Sequence, residues 1–213
     1  LNDANVKVLD ASFKLPGVLP LPIDDFVAAH IPGAAFFDVD AVSDHASPLP
    51  HMYPDAAQFA RDVAALGISN SDAVVVYDHG GWVAAPRAWW MLRTFGAKDV
   101  RVLDGGLPAW RAAGLPVEAG AVSRPEVPFA AALDSAAVKS YAEIRTLLAA
   151  GAPVVDARSA GRFAGTAPEP RAGLSSGHMP GSVSVPFTEV FSAGRLKDAA
   201  ALRALFEANG LDV

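Results

Sequence analysis

The sequence predicts an α/β protein made of two tandem copies of one strand–helix unit, each a parallel sheet flanked by helices, with the second copy cut short. Three observations predict it. Short apolar runs alternate with helical patterns, which argues for a parallel sheet with helices on both faces. One run, Ala73-Val74-Val75-Val76-Tyr77-Asp78, is apolar almost throughout, as a strand buried on both faces must be. The pattern that opens the chain also begins again in its last third.

The elements of the first copy follow in order. Val6-Lys7-Val8-Leu9-Asp10 reads as the first strand and Ala34-Ala35-Phe36-Phe37-Asp38-Val39 as the second. Pro54 to Leu66 carries apolar residues at Phe59, Val63 and Leu66, a helical spacing that Gly67 stops. The apolar strand is broken by His79-Gly80-Gly81. A helix then starts at Pro86 and runs through Arg93, with proline in the first turn, where its missing N–H is not needed. Val100-Arg101-Val102-Leu103 is one more strand, followed by Asp104-Gly105-Gly106. From Glu118 to Val138 the composition shifts to Ala and Pro without a period, which reads as a linker. The expected organisation is a first domain over 1–117, a linker over 118–138 and a partial second domain over 139–213.

Three segments carry the repeat. Val154-Val155-Asp156-Ala157-Arg158-Ser159 echoes Val8-Leu9-Asp10-Ala11-Ser12, and Gly177-His178-Met179-Pro180-Gly181 echoes His30-Ile31-Pro32-Gly33. A helix ending at Asn209-Gly210-Leu211 echoes the one ending at Leu66-Gly67-Ile68. Three matches in order, at a nearly constant offset, indicate a duplicated domain; solenoid repeats are far shorter. In the first copy the apolar strand follows closely on Gly67, so its counterpart is expected past Val213. Open α/β sheets bind ligands at the carboxyl ends of their strands, which places the expected chemistry of the second copy in that further segment.

Composition narrows the function. Apolar residues make up 52% and charged residues 19%, a globular balance, and a net charge of −6 argues against a nucleic-acid surface. No apolar run is long enough to predict a membrane span. The opening LNDANVKVLD lacks the pattern of a signal peptide. Cysteine is absent, which excludes disulfides, thiolate metal sites and a cysteine nucleophile within these residues. Gly173-Leu174-Ser175-Ser176-Gly177 fits a nucleophile elbow in letters only, since no apolar strand precedes it and no helix follows.

The segments VLDAS, HIPGAAFFDVD, SPLPHMYP, VVVYD, APRAWWMLRTFG and VLDGGLPAW resemble the rhodanese and 3-mercaptopyruvate sulfurtransferase family. So do VVDARSAGRFAGTAPEPR, SGHMPGSVSVPF and LRALFEANGLDV, so the resemblance covers essentially the whole chain. It implies two tandem rhodanese-like domains, sulfur transfer from 3-mercaptopyruvate or thiosulfate to a thiol or cyanide, and no cofactor or metal. In the family a cysteine of the second domain takes up sulfur as a persulfide. The resemblance places that cysteine after a segment like LRALFEANGLDV, beyond Val213. Asp78 stands where the first copy's loop would hold a cysteine, so the first domain reads as non-catalytic and this chain alone as inactive.

The resemblance singles out four residues. Arg162 and Arg171 are the expected substrate-binding pair. A guanidinium fork suits the carboxylate of mercaptopyruvate, and two arginines on one Gly- and Pro-rich loop can converge on a small anion. Against this stands the plainer reading of solvated loop charges, or of pairing with Glu169. Arg171 occupies a position where the resemblance implies arginine in mercaptopyruvate enzymes and an acid in thiosulfate-preferring ones. Asp40 and His51 are the expected catalytic pair, an aspartate fixing the tautomer of an imidazole; the resemblance adds a serine partner beyond Val213, and His45 is the rival histidine. Arg158 reads as the structural partner of Asp156. His30 and His178 occupy the same place in both copies and read as structural, while Trp82, Trp89 and Trp90 read as core or interdomain packing.

The alternative function is a non-catalytic rhodanese-like binding module, which the absence of cysteine fits and the paired arginines do not. A phosphatase of the related Cdc25-like class would also need a cysteine loop, and the two-domain layout argues against it. Expected partners are the small-molecule sulfur donor and a thiol or cyanide acceptor, thioredoxin among the thiols, and a complementing C-terminal fragment. Neither nucleic acid nor membrane is expected, and the expected location is the cytoplasm.

Overall fold

The computed structural model describes residues 5–80, 84–171 and 173–212. The chain divides into two compact units, the first ending at Ala137 and the second beginning at Val138.

In the first unit β1 (Val6–Asp10), β2 (Ala35–Phe36), β3 (Ala73–Tyr77) and β4 (Asp99–Val102) form one parallel sheet in the order β2-β1-β3-β4. Successive side chains on a strand point to opposite faces. Leu9, Val74 and Val76 therefore share one face with Phe59 and Val63 of α2 (Ala56–Ala65) and Met91 and Leu92 of α3 (Ala85–Thr94). Val8 and Tyr77 share the other with Phe26 of α1 (Pro22–Ala28) and Leu107 of α4 (Gly106–Ala112). Helices thus cover both faces, as the apolar β3 requires. Each large side chain buried in these layers stabilises the fold by roughly 1.5–3 kcal/mol before entropy is counted.

The sheet is as expected, but several boundaries differ. β2 pairs with β1 through only two residues, Leu9 with Ala35 and Asp10 with Phe36. The Asp38 carboxylate then accepts from Asp40 N at 2.9 Å and Ala41 N at 3.2 Å, which turns the chain out of the sheet. α2 begins at Ala56 rather than Pro54 because the Asp55 side chain caps it, accepting from Gln58 N at 2.7 Å. The helices α1 and α4 are each 7 residues long, too short for a periodic signal to stand out. Trp90 packs edge-on against Tyr53 at 4.9 Å, whereas the partly exposed Trp89 donates its indole N–H to Val100 O at 2.9 Å; Trp82 lies outside the described residues.

The stretch after Glu118 is not a free coil. Its first residue pairs antiparallel with His30, with N–H···O distances of 2.8 Å in both directions. Arg124 donates to the carbonyls of Val8, Gly33 and Leu66, and burial holds its pKa below the usual arginine range. Phe129 enters the core beside Phe59, and Asn70 binds both backbone groups of Ala130. Ala132 N and Asp134 N bond the carbonyls of Phe95 and Thr94 at the end of α3. Apart from the Glu118–His30 bridge and the Val8 carbonyl, these bonds go to helix ends and loops instead of a ladder, so the sequence shows no period.

The second unit repeats the opening of the first. α5 (Tyr141–Ala149) starts with a reciprocal cap between Ser140 and Glu143. β5 (Val155–Asp156) pairs in parallel with β6 (Val183–Ser184), Val155 with Val183 and Asp156 with Ser184. This is the register of Leu9 with Ala35 and Asp10 with Phe36, so the duplication is visible in the backbone. α6 (Ala160–Ala164) lies between them, and a hairpin of β7 (Phe191–Ser192) and β8 (Arg195–Leu196) precedes α7 (Ala199–Ala208). The stacked pair Phe26–His30, with His30 Nδ1 at 2.8 Å from Phe26 O, recurs as Phe163–His178, with Nδ1 at 2.9 Å from Phe163 O. Both histidines thus join a turn to the element before it. One edge differs: β1 carries β3 opposite β2, while β5 has no strand opposite β6 among the described residues. Val155 is accordingly 41% exposed where Leu9 is fully buried.

Gly106, at φ 55°, sits so close to β3 that a Cβ there would lie 2.3 Å from Asp78 O. Gly106→Ala is therefore expected to cost about 3 kcal/mol, from left-handed strain plus a forced backbone shift. Gly17→Ala, at φ 86° with open space around it, should cost about 1 kcal/mol. Urea unfolding of the two variants measures the difference, and equal losses would remove the steric argument.

Candidate functional site

The carboxyl ends of β1 and β3 bring together two buried carboxylates, a phenol and an imidazole. Asp10 closes β1 and is fully buried; its Oδ1 accepts from Ser12 N at 2.9 Å and its Oδ2 lies 2.9 Å from His79 Nε2. Ser12 Oγ in turn accepts from His79 N at 2.9 Å. Burial, and after it the nearby Asp10 charge, push the Tyr77 hydroxyl pKa far up, so it stays a neutral phenol that accepts from Ile31 N at 3.1 Å. Asp78, also buried, accepts from Ala84 N at 3.0 Å and Ala85 N at 3.1 Å, at the positive end of α3. Its carboxylate fills a backbone cradle.

Asp40 and His51 meet on the loop beyond β2. Asp40 Oδ1 lies 3.0 Å from His51 Nδ1; the aspartate is exposed and the imidazole mostly buried, edge-on to Phe13 at 5.2 Å. At that distance the carboxylate favours a proton on Nδ1, which would leave Nε2 as the basic nitrogen. His51 adopts φ 56°, rare for a residue with a side chain, and its carbonyl accepts from the Arg87 guanidinium. Burial lowers the Arg87 pKa, against the raising effects of Tyr53 and Asp40. The rival His45 instead places Nε2 at 3.0 Å from Ala41 O. Neither Arg87 nor the Asp10–His79 pair stood out in the sequence; the recurrence of Asp10 as Asp156 was the available signal.

In the second unit a charged network runs from β5 to α6. Asp156 Oδ1 accepts from Arg158 N at 2.9 Å, matching the Asp10–Ser12 turn. Arg158 donates from Nε and Nη2 to Asp156, from Nη2 to Gly177 O at 2.7 Å and from Nη1 to Glu169 Oε1 at 3.0 Å. Arg158 is thus structural, as its pairing with Asp156 suggested. Arg162, on α6, donates from Nε at 3.0 Å and Nη2 at 2.5 Å to Glu169 Oε2. The Glu169 side chain is 4% exposed. The structure therefore joins Arg162 to Glu169, and Arg171 lies half-buried two residues farther along the loop. Beside β5 lies a cavity of about 620 Å³ lined by Asp156, Arg158, Ser176 and His178 among others.

Comparisons with known proteins bear on the family and the fold. The family described as rhodanese-like domain matches residues 1–113. The chain is 43% identical over 215 residues to a 3-mercaptopyruvate sulfurtransferase of Escherichia coli (strain K12), covering 99% of this chain and 76% of that protein. It is 44% identical over 214 residues to a thiosulfate sulfurtransferase of Bos taurus, covering 98% of this chain and 71% of that protein. The crystal structure of a 3-mercaptopyruvate sulfotransferase from Escherichia coli superposes with a TM-score of 0.91 at 40% identity, over 99% of this chain and 79% of that one.

The network has a pH signature. Hydrogen bonding from Arg162 holds the Glu169 carboxyl below its usual range, and bonding from Arg158 does the same for Asp156. Both folded-state values lie under the unfolded ones, so the stabilisation is complete above about pH 4–5 and is lost as pH falls through the depressed values. Urea unfolding at pH 5 and pH 3 should show a larger acid loss for the native chain than for Glu169→Gln, and parallel losses would exclude the linkage.

Proposed function

Because the chain belongs to the rhodanese and 3-mercaptopyruvate sulfurtransferase family, we propose that it binds and orients 3-mercaptopyruvate for sulfur transfer to a nucleophilic cysteine carried beyond Val213. The observation that carries this reading is the loop from Arg158 to Arg171. One guanidinium there, Arg158, is fully committed to structure, while Arg162 keeps Nη1 without a protein hydrogen bond among the described residues. A donor with a carboxylate next to a ketone gives Arg162 and Arg171 an anion to bind, and thiosulfate is the weaker alternative.

The chemistry divides between the missing nucleophile and the residues present. A cysteine thiolate attacks the sulfur of mercaptopyruvate. A sulfur–sulfur bond forms and the carbon–sulfur bond breaks, leaving the enolate of pyruvate, which takes a proton. An acceptor thiol or cyanide then attacks the outer sulfur of the persulfide and releases the cysteine thiolate. Arg162 and Arg171 neutralise the donor's carboxylate. The imidazole of His51, oriented by Asp40, is suited to moving the proton. The first unit supplies no nucleophile, since Asp78 stands in its loop as a bound carboxylate and the 213 residues contain no cysteine.

On this reading the chain alone is inactive, and it acts in the cytoplasm with a small-molecule donor, a thiol acceptor such as thioredoxin, or cyanide. A complementing C-terminal fragment would pair along the edge of β5 that corresponds to the β3 edge of β1. Among the described residues no helix is long and apolar enough to cross a membrane.

Two measurements test the reading. The 213-residue chain should release no pyruvate from 3-mercaptopyruvate, and release by it would overturn the missing-nucleophile assignment. In the full-length protein, Arg171→Ala should raise KM for mercaptopyruvate about tenfold, as loss of a charge-assisted hydrogen bond does. The KM for thiosulfate should rise less, and equal effects on the two donors would remove the carboxylate role.

A further inference from the structure

We propose that Glu169 is the positioning residue of the donor site: it clamps Arg162 along one guanidinium edge and turns the opposite edge toward the donor's carboxylate. This rests on the sulfur-transfer reading above and adds how the binding arginine is aimed.

Arginine has two edges that can grip a carboxylate, one formed by Nε and Nη2, the other by Nη1 and Nη2. Glu169 Oε2 takes the first, accepting from Nε at 3.0 Å and from Nη2 at 2.5 Å. Nη1 has no hydrogen-bond partner among the described residues, and Nη2 retains a second hydrogen on that side. Arg162 can therefore receive a carboxylate only end-on. Arg158 offers no such edge, since all three of its nitrogens donate to Asp156, Glu169 or Gly177 O.

The aim is set from the sheet. α6 is only 5 residues long, too short to fix a long side chain by itself. Asp156, paired to Ser184 in the β5–β6 ladder, holds Arg158. Arg158 holds Glu169 through Oε1 at 3.0 Å, and Glu169 holds Arg162. The glutamate is nearly closed to solvent, where an unpaired carboxylate would be costly, and the two arginines compensate it from opposite sides. A free arginine side chain loses rotamer entropy when it is fixed. The relay makes that loss part of folding, so it does not fall on donor binding.

A double-mutant cycle in the full-length protein separates positioning from general support. Glu169→Gln should raise KM for mercaptopyruvate about tenfold with kcat within about twofold, because the chemistry lies elsewhere. Arg162→Ala should raise KM at least as much. In the Arg162→Ala background Glu169→Gln should add nothing, since its effect passes through that arginine. Multiplying effects on KM, or an unchanged KM in Glu169→Gln where Arg162→Ala raises it, would overturn the positioning role and leave the donor site standing. An unchanged KM in Arg162→Ala would overturn the donor site and the positioning role with it. Should Glu169→Gln fail to fold, Arg158→Met/Glu169→Gln removes two opposite charges together and takes its place in the cycle, with the same outcomes.

Discussion

Each unit ends its first strand on an aspartate that folding removes from water, and much of the local structure answers that one charge. Asp10 and Asp156 make the same turn, each accepting the backbone N–H two residues on, at 2.9 Å. Their remaining acceptors are met differently. In the first unit the partner is His79, which reaches back from the loop after β3. In the second it is Arg158, from the same turn, and this guanidinium extends the network to Glu169 and Arg162. A histidine with one nitrogen on the aspartate ends the chain of charges. An arginine with three nitrogens passes it on. The divergence of the two copies can be read from that exchange.

Asp78 completes the contrast. Backbone N–H groups at the start of a helix are a ready anion site, and here the protein occupies its own site with a carboxylate. The tight approach of Gly106 to Asp78 O fixes the backbone on the other side. What remains in the first unit is a close contact, Asp40 with His51, on a loop whose left-handed histidine is secured by Arg87.

The sequence made the repeat and the sheet readable because both depend on short-range signals. The strand VVVYD has its apolar run, and Asp10, His30 and Gly67 recur as Asp156, His178 and Gly210. The short helices α1 and α4 gave too few turns for a period. The extent of β2 was set by Asp38 capping the next turn, a choice that residue type alone does not decide. The partner of Arg162 is Glu169, seven residues away, whose burial no local pattern announces. Arg87 was visible only as one residue of a helix, since its partner is a carbonyl made available by the φ of His51.

The strap from Glu118 to Asp134 changes what counts as one domain. The family match ends at residue 113, and the composition shifts near Glu118. Yet Arg124 binds three carbonyls of the first unit and Phe129 lies among its core aromatics. The portable module, the piece that evolution or an engineer could cut out and graft whole, is therefore longer than the motif that identifies it. It ends at Ala137, and its last stretch is tied back by hydrogen bonds and Phe129 to the sheet, helix ends and core of that unit.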